Sequence, residues 1–97
     1  MTQPIFHRQA ERELLKSIDL YEAKVRGLGG QFLERVIQAL EQIQAFPESC
    51  PVLSGRARKR PLRQFPYSVI YSIDPSGIFI LAIAHQKRRA DYWKDRL

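Results

Sequence analysis

The spacing of hydrophobic positions changes along the chain, and each change predicts an element. Gln3 to His7 is short and apolar enough for a first strand, with Pro4 suited to its start or to a sheet edge. From Ala10 onward the apolar residues recur every three or four positions, as Ala10, Leu14, Ile18, Tyr21 and Val25, while Arg12, Lys16 and Asp19 fall elsewhere. That is one face of a helix. Gly27-Leu28-Gly29-Gly30 stops it, because glycine tolerates the left-handed turn a helix end needs. A second stripe, Phe32, Val36, Leu40 and Ile43, widened by Leu33 and Ile37, predicts a second helix that ends before Pro47. Two helices joined by so short a loop form an antiparallel hairpin.

Beyond Pro47 the period falls to two. Residues 47–57 read as loop, and Arg58 to Phe65 as a strand that Pro61 keeps near an edge or bulge. In Tyr67 to Ile73, the side chains of Tyr67, Val69, Tyr71 and Ile73 point one way and those of Ser68, Ile70 and Ser72 the other. Asp74-Pro75-Ser76-Gly77 is a turn. Ile78 to Ala84 is apolar on both faces, as a central strand would be, and Ala90 to Arg96 closes the chain as a short helix or turn. The order β-α-α-β-β-β implies an α+β fold, with the helix hairpin on one face of a small, twisted, mainly antiparallel sheet whose last three strands form a meander. A chain of 97 residues without internal repeats fits a single domain over 1–97.

Composition narrows the function classes. No stretch approaches the roughly 20 apolar residues of a membrane span. The N-terminus meets acidic residues too early for a signal peptide, and the one cysteine, Cys50, cannot support an internal disulfide framework, so a reducing cytoplasm is expected. No spacing of His, Cys, Asp or Glu resembles a metal site, and no phosphate-binding glycine loop is present, so neither metal nor cofactor is expected. Charge is lopsided. Residues 1–55 hold six Lys/Arg against seven Asp/Glu, net −1, whereas residues 56–97 hold ten against three, net +7. Such a field steers a protein toward anions, whether nucleic acid, phosphates or an acidic partner. The densest run is Arg56 to Arg63, RARKRPLR, with five cations in eight residues, and the expectation is that the fold gathers these late cations on one exposed side.

Four segments in this order, AERELLKSIDLYE (10–22), GLGGQFLERVIQALEQIQAFP (27–47), RPLRQFPYSVIYSI (60–73) and ILAIAHQKRRADYWKDR (80–96), resemble the RelE/ParE superfamily of type II toxin–antitoxin toxins, nearer the ParE-like branch. The resemblance implies a growth-inhibitory toxin silenced by a cognate antitoxin. ParE relatives poison DNA gyrase; RelE relatives act on the ribosome and cut mRNA without a metal; a degenerate relative would only bind its antitoxin.

The candidate residues divide accordingly. Metal-free cleavage needs a base, an acid and cations around a phosphate. An unperturbed imidazole changes charge near neutrality, so His85 is the candidate acid or base, Arg63 and Arg88 would hold phosphate, and Tyr92 would stack on a base or pass a proton. The competing reading is that His85 caps a strand and bonds backbone. One departure sets the chain apart from the nucleases: YSVIYSI carries no cation, and Ser68 stands where an arginine is expected. For contact with a target or antitoxin, the candidates are Arg56, Arg58, Lys59, Arg60, Arg63, Arg88, Arg89 and Trp93. Few aromatics flank the basic run, so protein contact ranks above single-strand nucleic-acid binding.

Overall fold

The computed structural model describes residues 3–97 as β1 (Ile5–Phe6), α1 (Arg8–Lys24), α2 (Leu28–Ala45), β2 (Val52–Ser54), β3 (Ala57–Pro61), β4 (Tyr67–Asp74), β5 (Gly77–His85) and a terminal 3-10 turn, Lys94–Arg96. The sheet order is β1-β5-β4-β3-β2, with β1 parallel to β5 and every other pair antiparallel. The α+β layout, the helix hairpin and the closing meander are those read from the sequence. One strand was missed: Val52–Ser54 lies within the stretch read as loop and pairs with β3. The end of the chain is turns and a single 3-10 turn rather than an α-helix.

The alternation in β4 sorts side chains into two cores. Val69 and Tyr71 face the helices with Phe32, Val36, Ile43, Ile80 and Ile83. Ile70 faces away, with Ala57, Leu81, Ala82 and Trp93. A bulge sets Tyr71 against Ile80 and Ile70 against Ala82, so Leu81 is the extra residue and packs beside Ala82 in the second core. On the helix side, Phe32 is fully buried and meets Tyr21, Phe65 and Tyr67 at ring-centroid distances of 5.2, 5.1 and 5.0 Å. Each such pair adds about 0.5–1.5 kcal/mol beyond area burial. The helix stripes were read too broadly: Val25 is 58% exposed, Leu33 36% and Ile37 45%, while Ala39 and Gly29 take buried places.

The helix junction uses its glycines differently from one another. Gly27 adopts φ +89° and turns the chain. Gly29 lies inside α2, where a Cβ would stand 2.6 Å from the Ile18 carbonyl oxygen and 3.0 Å from Glu22 Cβ. The two helices can approach because that Cβ is absent. At the same point the Glu22 carboxylate accepts the N–H groups of Gly27 (2.9 Å) and Gly29 (3.0 Å), supplying the anion that the N-terminus of α2 favours. Gly29→Ala should force the helices apart and cost roughly 1–3 kcal/mol, read as a lower urea midpoint at unchanged slope. His7 caps α1 through Nδ1, which accepts the Gln9 N–H at 3.1 Å.

Candidate functional site

The cationic run forms most of β3, and a strand turns successive side chains to opposite faces. Register makes the division concrete. Arg58 pairs with Tyr71 and Arg60 with Val69, both on the helix side, whereas Lys59 pairs with Ile70 on the open face. The expected single basic surface is therefore two surfaces, one on each side of β3.

The helix-side arginines are partly committed to structure. The Arg58 guanidinium donates to the Cys50 carbonyl at 2.5 Å and to that of Glu48 at 3.4 Å, fastening the segment between α2 and β2. Tyr71 holds the same segment by donating its hydroxyl to the Pro47 carbonyl at 2.7 Å. Burial, and then the neighbouring Cys50, push the Tyr71 hydroxyl up to about 12 against the pull of Arg58 and Arg60. Arg60 Nη1 reaches Cys50 Sγ at 3.7 Å. Arg56 lies 3.0 Å from Asp74 Oδ1, an ion pair by distance without good hydrogen-bond geometry, and its side chain is 62% exposed. Exposed pairs of this kind add little stability. Arg60 and Arg63 line a groove of about 540 Å³ between α2 and β3, together with Arg35.

On the open face a smaller hollow of about 200 Å³ has Ile70 and Ala84 in its lining, beside Ser68 and the cations Lys59, Arg88 and Arg89. The chain after β5 folds back to form its far wall. Trp93 anchors that return: it is 3% exposed within the second core, so it is not the contact residue expected from the sequence. Arg88 lies over the Tyr92 ring, its guanidinium carbon 3.8 Å from the centroid.

What holds the returning segment is a carboxylate that sequence reasoning passed over. Glu13, on α1, accepts the Ile83 N–H at 3.0 Å, the Tyr92 hydroxyl at 2.9 Å and both terminal nitrogens of Arg96 at 3.0 Å. Arg96 also donates to the Leu81 carbonyl at 3.0 Å. These backbone groups lie on the β5 edge just past β1, which pairs only with Phe79 and Ile80. The Glu13–Arg96 pair thus supplies a donor and an acceptor where another strand residue would have done so. Burial, and then the bond to Glu13, raise the Tyr92 hydroxyl well above the usual phenol range, despite Arg96 and Arg88.

Three of the four residues proposed for cleavage, His85, Arg88 and Tyr92, line the open-face hollow together, while Arg63 lies apart in the other groove. His85 borders the open-face hollow, but its ring packs edge-on against Tyr67, 4.9 Å between centroids, which belongs to the helix-side layer. Its Nδ1 accepts the Lys87 N–H at 3.0 Å, the strand-capping role set out as the competing reading. Tyr92 is held by Glu13, Arg88 stacks on Tyr92, and Arg63 lies in the other groove. Among the described residues, no group of three His, Cys, Asp or Glu side chains is placed to hold a metal ion, and no helix is long and apolar enough to cross a membrane.

Comparison with known proteins places this geometry. No curated protein sequence matches the chain. A solved structure from P. aeruginosa, of its chromosomal ParDE toxin–antitoxin system, shares the fold with a TM-score of 0.63 and 22% identity, over 88% of this chain and 96% of that one. The family profile described as the ParE toxin of the type II toxin–antitoxin system, parDE, matches residues 5–90, and on that extent the chain belongs to the ParE toxin family.

Proposed function

We propose that this ParE-family toxin arrests growth by binding DNA gyrase, and that a cognate antitoxin relieves the arrest. The carrying observation is that the candidate acid–base groups, His85 and Tyr92, although they share the open-face hollow, are both engaged in structural contacts. The His85 ring packs against Tyr67, the Tyr92 hydroxyl is tied to Glu13, and Arg63 is across β3 from Lys59. Cleavage requires an acid, a base and phosphate-holding cations around one point. Contact requires only a stable surface, and Lys59, Arg88 and Arg89 around an apolar patch form one.

Induction in a bacterial host, with parallel readouts of the DNA-damage response and of mRNA cleavage, tests this reading. The damage response should rise while messages stay intact. His85→Ala should leave growth inhibition within about twofold of the parent, since the ring serves the strand end rather than a reaction. Codon-boundary mRNA cuts that vanish in His85→Ala would reverse the assignment in favour of a ribosome-dependent nuclease. Unimpaired growth on induction of folded protein would instead mean a relative that only binds its antitoxin.

A further inference from the structure

The floor of the open-face hollow carries a polar group that the fold leaves unused. Ser68 lies on β4 opposite Ala84, shares the open face with Ile70, and is 8% exposed. Among the described residues its hydroxyl has no hydrogen-bond partner. A buried hydroxyl is ordinarily matched, so an unmatched one in the wall of a hollow points to a ligand that enters from outside.

Three cations surround that floor from two further elements. Lys59 stands on β3 opposite Ile70, and Arg88 and Arg89 follow β5. All three are exposed, and among the described residues none forms an ion pair, although the lining includes one carboxylate, Asp91. Arg88 is already oriented, because its guanidinium lies over the Tyr92 ring and the Tyr92 hydroxyl is held by Glu13. Stacking occupies the face of a guanidinium and leaves its N–H edge for a ligand. The hollow, at about 200 Å³, is smaller than the roughly 300–1,000 Å³ that encloses a whole small ligand, so it suits one group of a larger molecule. Donors reach it from β3, from β4 and from the segment after β5. That spread suits the tetrahedrally placed oxygens of a phosphate better than the two coplanar oxygens of a carboxylate. A hydroxyl beside lysine and arginine is a usual set of donors to a nucleic-acid backbone.

We propose that the open-face hollow seats a backbone phosphate of duplex DNA, with Ser68 Oγ and the side chains of Lys59, Arg88 and Arg89 as its donors. Resting on the reading of the chain as a gyrase-binding toxin, the assignment puts part of the contact on the DNA that the enzyme holds. The apolar floor of Ile70 and Ala84 lowers the dielectric beneath the charges and strengthens their pull. No stacking ring is needed, because a duplex keeps its bases paired inside and turns its phosphates outward. The phosphate is held and not cut: His85 Nδ1 stays on the Lys87 N–H and the Tyr92 hydroxyl on Glu13.

The test is fluorescence anisotropy of a labelled duplex of about 20 base pairs, titrated with the full chain over a range of salt concentrations and without gyrase. Ser68→Ala changes no charge and should weaken binding about fivefold. Arg89→Gln should weaken it about tenfold and lower the slope of log affinity against log salt by about one. Arg63→Gln removes the same charge on the other side of β3 and should stay within about twofold of the parent. Asp91→Asn should tighten binding about threefold, and asparagine tolerates the φ of +64° at that position as aspartate does. A glutamate-rich peptide of matching charge should bind about tenfold more weakly than the duplex, or less. Equal losses from Arg63→Gln and Arg89→Gln would mean diffuse attraction to a basic chain and would overturn the proposal. Unaltered binding by Ser68→Ala, equal binding of the peptide, or no binding at low salt would overturn it as well. Because gyrase is absent, the phosphate site can fail while supercoiling inhibition stands, and inhibition can fail while the site holds.

Discussion

Glu13→Ala should lower the melting temperature by on the order of 15 °C, the largest stability effect expected of any single exposed or half-buried polar residue. The substitution leaves the Ile83 N–H without its acceptor and frees the Tyr92 hydroxyl. It also strands the Arg96 guanidinium, whose side chain is 8% exposed. Removing one partner of a buried ion pair costs about 3–5 kcal/mol, because the other charge stays buried and unmatched. A domain of this size shifts by roughly 4–8 °C per kcal/mol. The network makes a second, sharper demand. Arg96→Met should cost less, since Glu13 keeps the Ile83 and Tyr92 bonds, and the double variant should fall well short of the sum. Thermal unfolding followed by circular dichroism reads all three. A Glu13→Ala change within about 2 °C would mean that the β5 edge does not depend on this clasp.

Lys59→Glu combined with Arg89→Glu should reduce growth inhibition by about a hundredfold or more at matched expression. Both side chains are exposed, and both line the open-face hollow. Reversal replaces attraction with repulsion at two points of a contact surface, and about 3 kcal/mol lost from binding is a factor above a hundred. Surface reversals away from packed features should move stability by no more than about half a kcal/mol, so unfolding would not explain the loss. The matched pair on the other side of β3, Arg63→Glu with Arg35→Gln, should keep growth inhibition, because those arginines lie in the groove along α2. Equal loss from both pairs would merge the two surfaces into one.

The elements with strong local signals were legible in the residues. The two helical stripes, the Tyr67–Asp74 strand whose residues alternate between the two cores, and the Asp74–Gly77 turn each show in a short local window. Strand β2 had no such window: three residues between Pro51 and Gly55, with Val52 and Leu53 about half exposed, form a strand because β3 lies alongside. The division of the basic run could have been read, since once Arg58–Phe65 is taken as a strand its cations must alternate between faces. It was treated instead as one patch. The Glu13 clasp gave no local signal. Its partners lie 70 to 83 positions away, and beside Leu14 on an amphipathic helix a glutamate looks like another wet residue. Trp93 was expected to face a partner, and its burial in the second core makes it the anchor of the returning chain instead.

The most direct measurement of the central claim is a DNA supercoiling assay with purified gyrase, titrated with the wild-type chain, with His85→Ala and with Lys59→Glu/Arg89→Glu. The first two should inhibit alike, and the third should require about a hundredfold more protein. Undiminished supercoiling at large excess of the folded wild-type chain would contradict gyrase as the target.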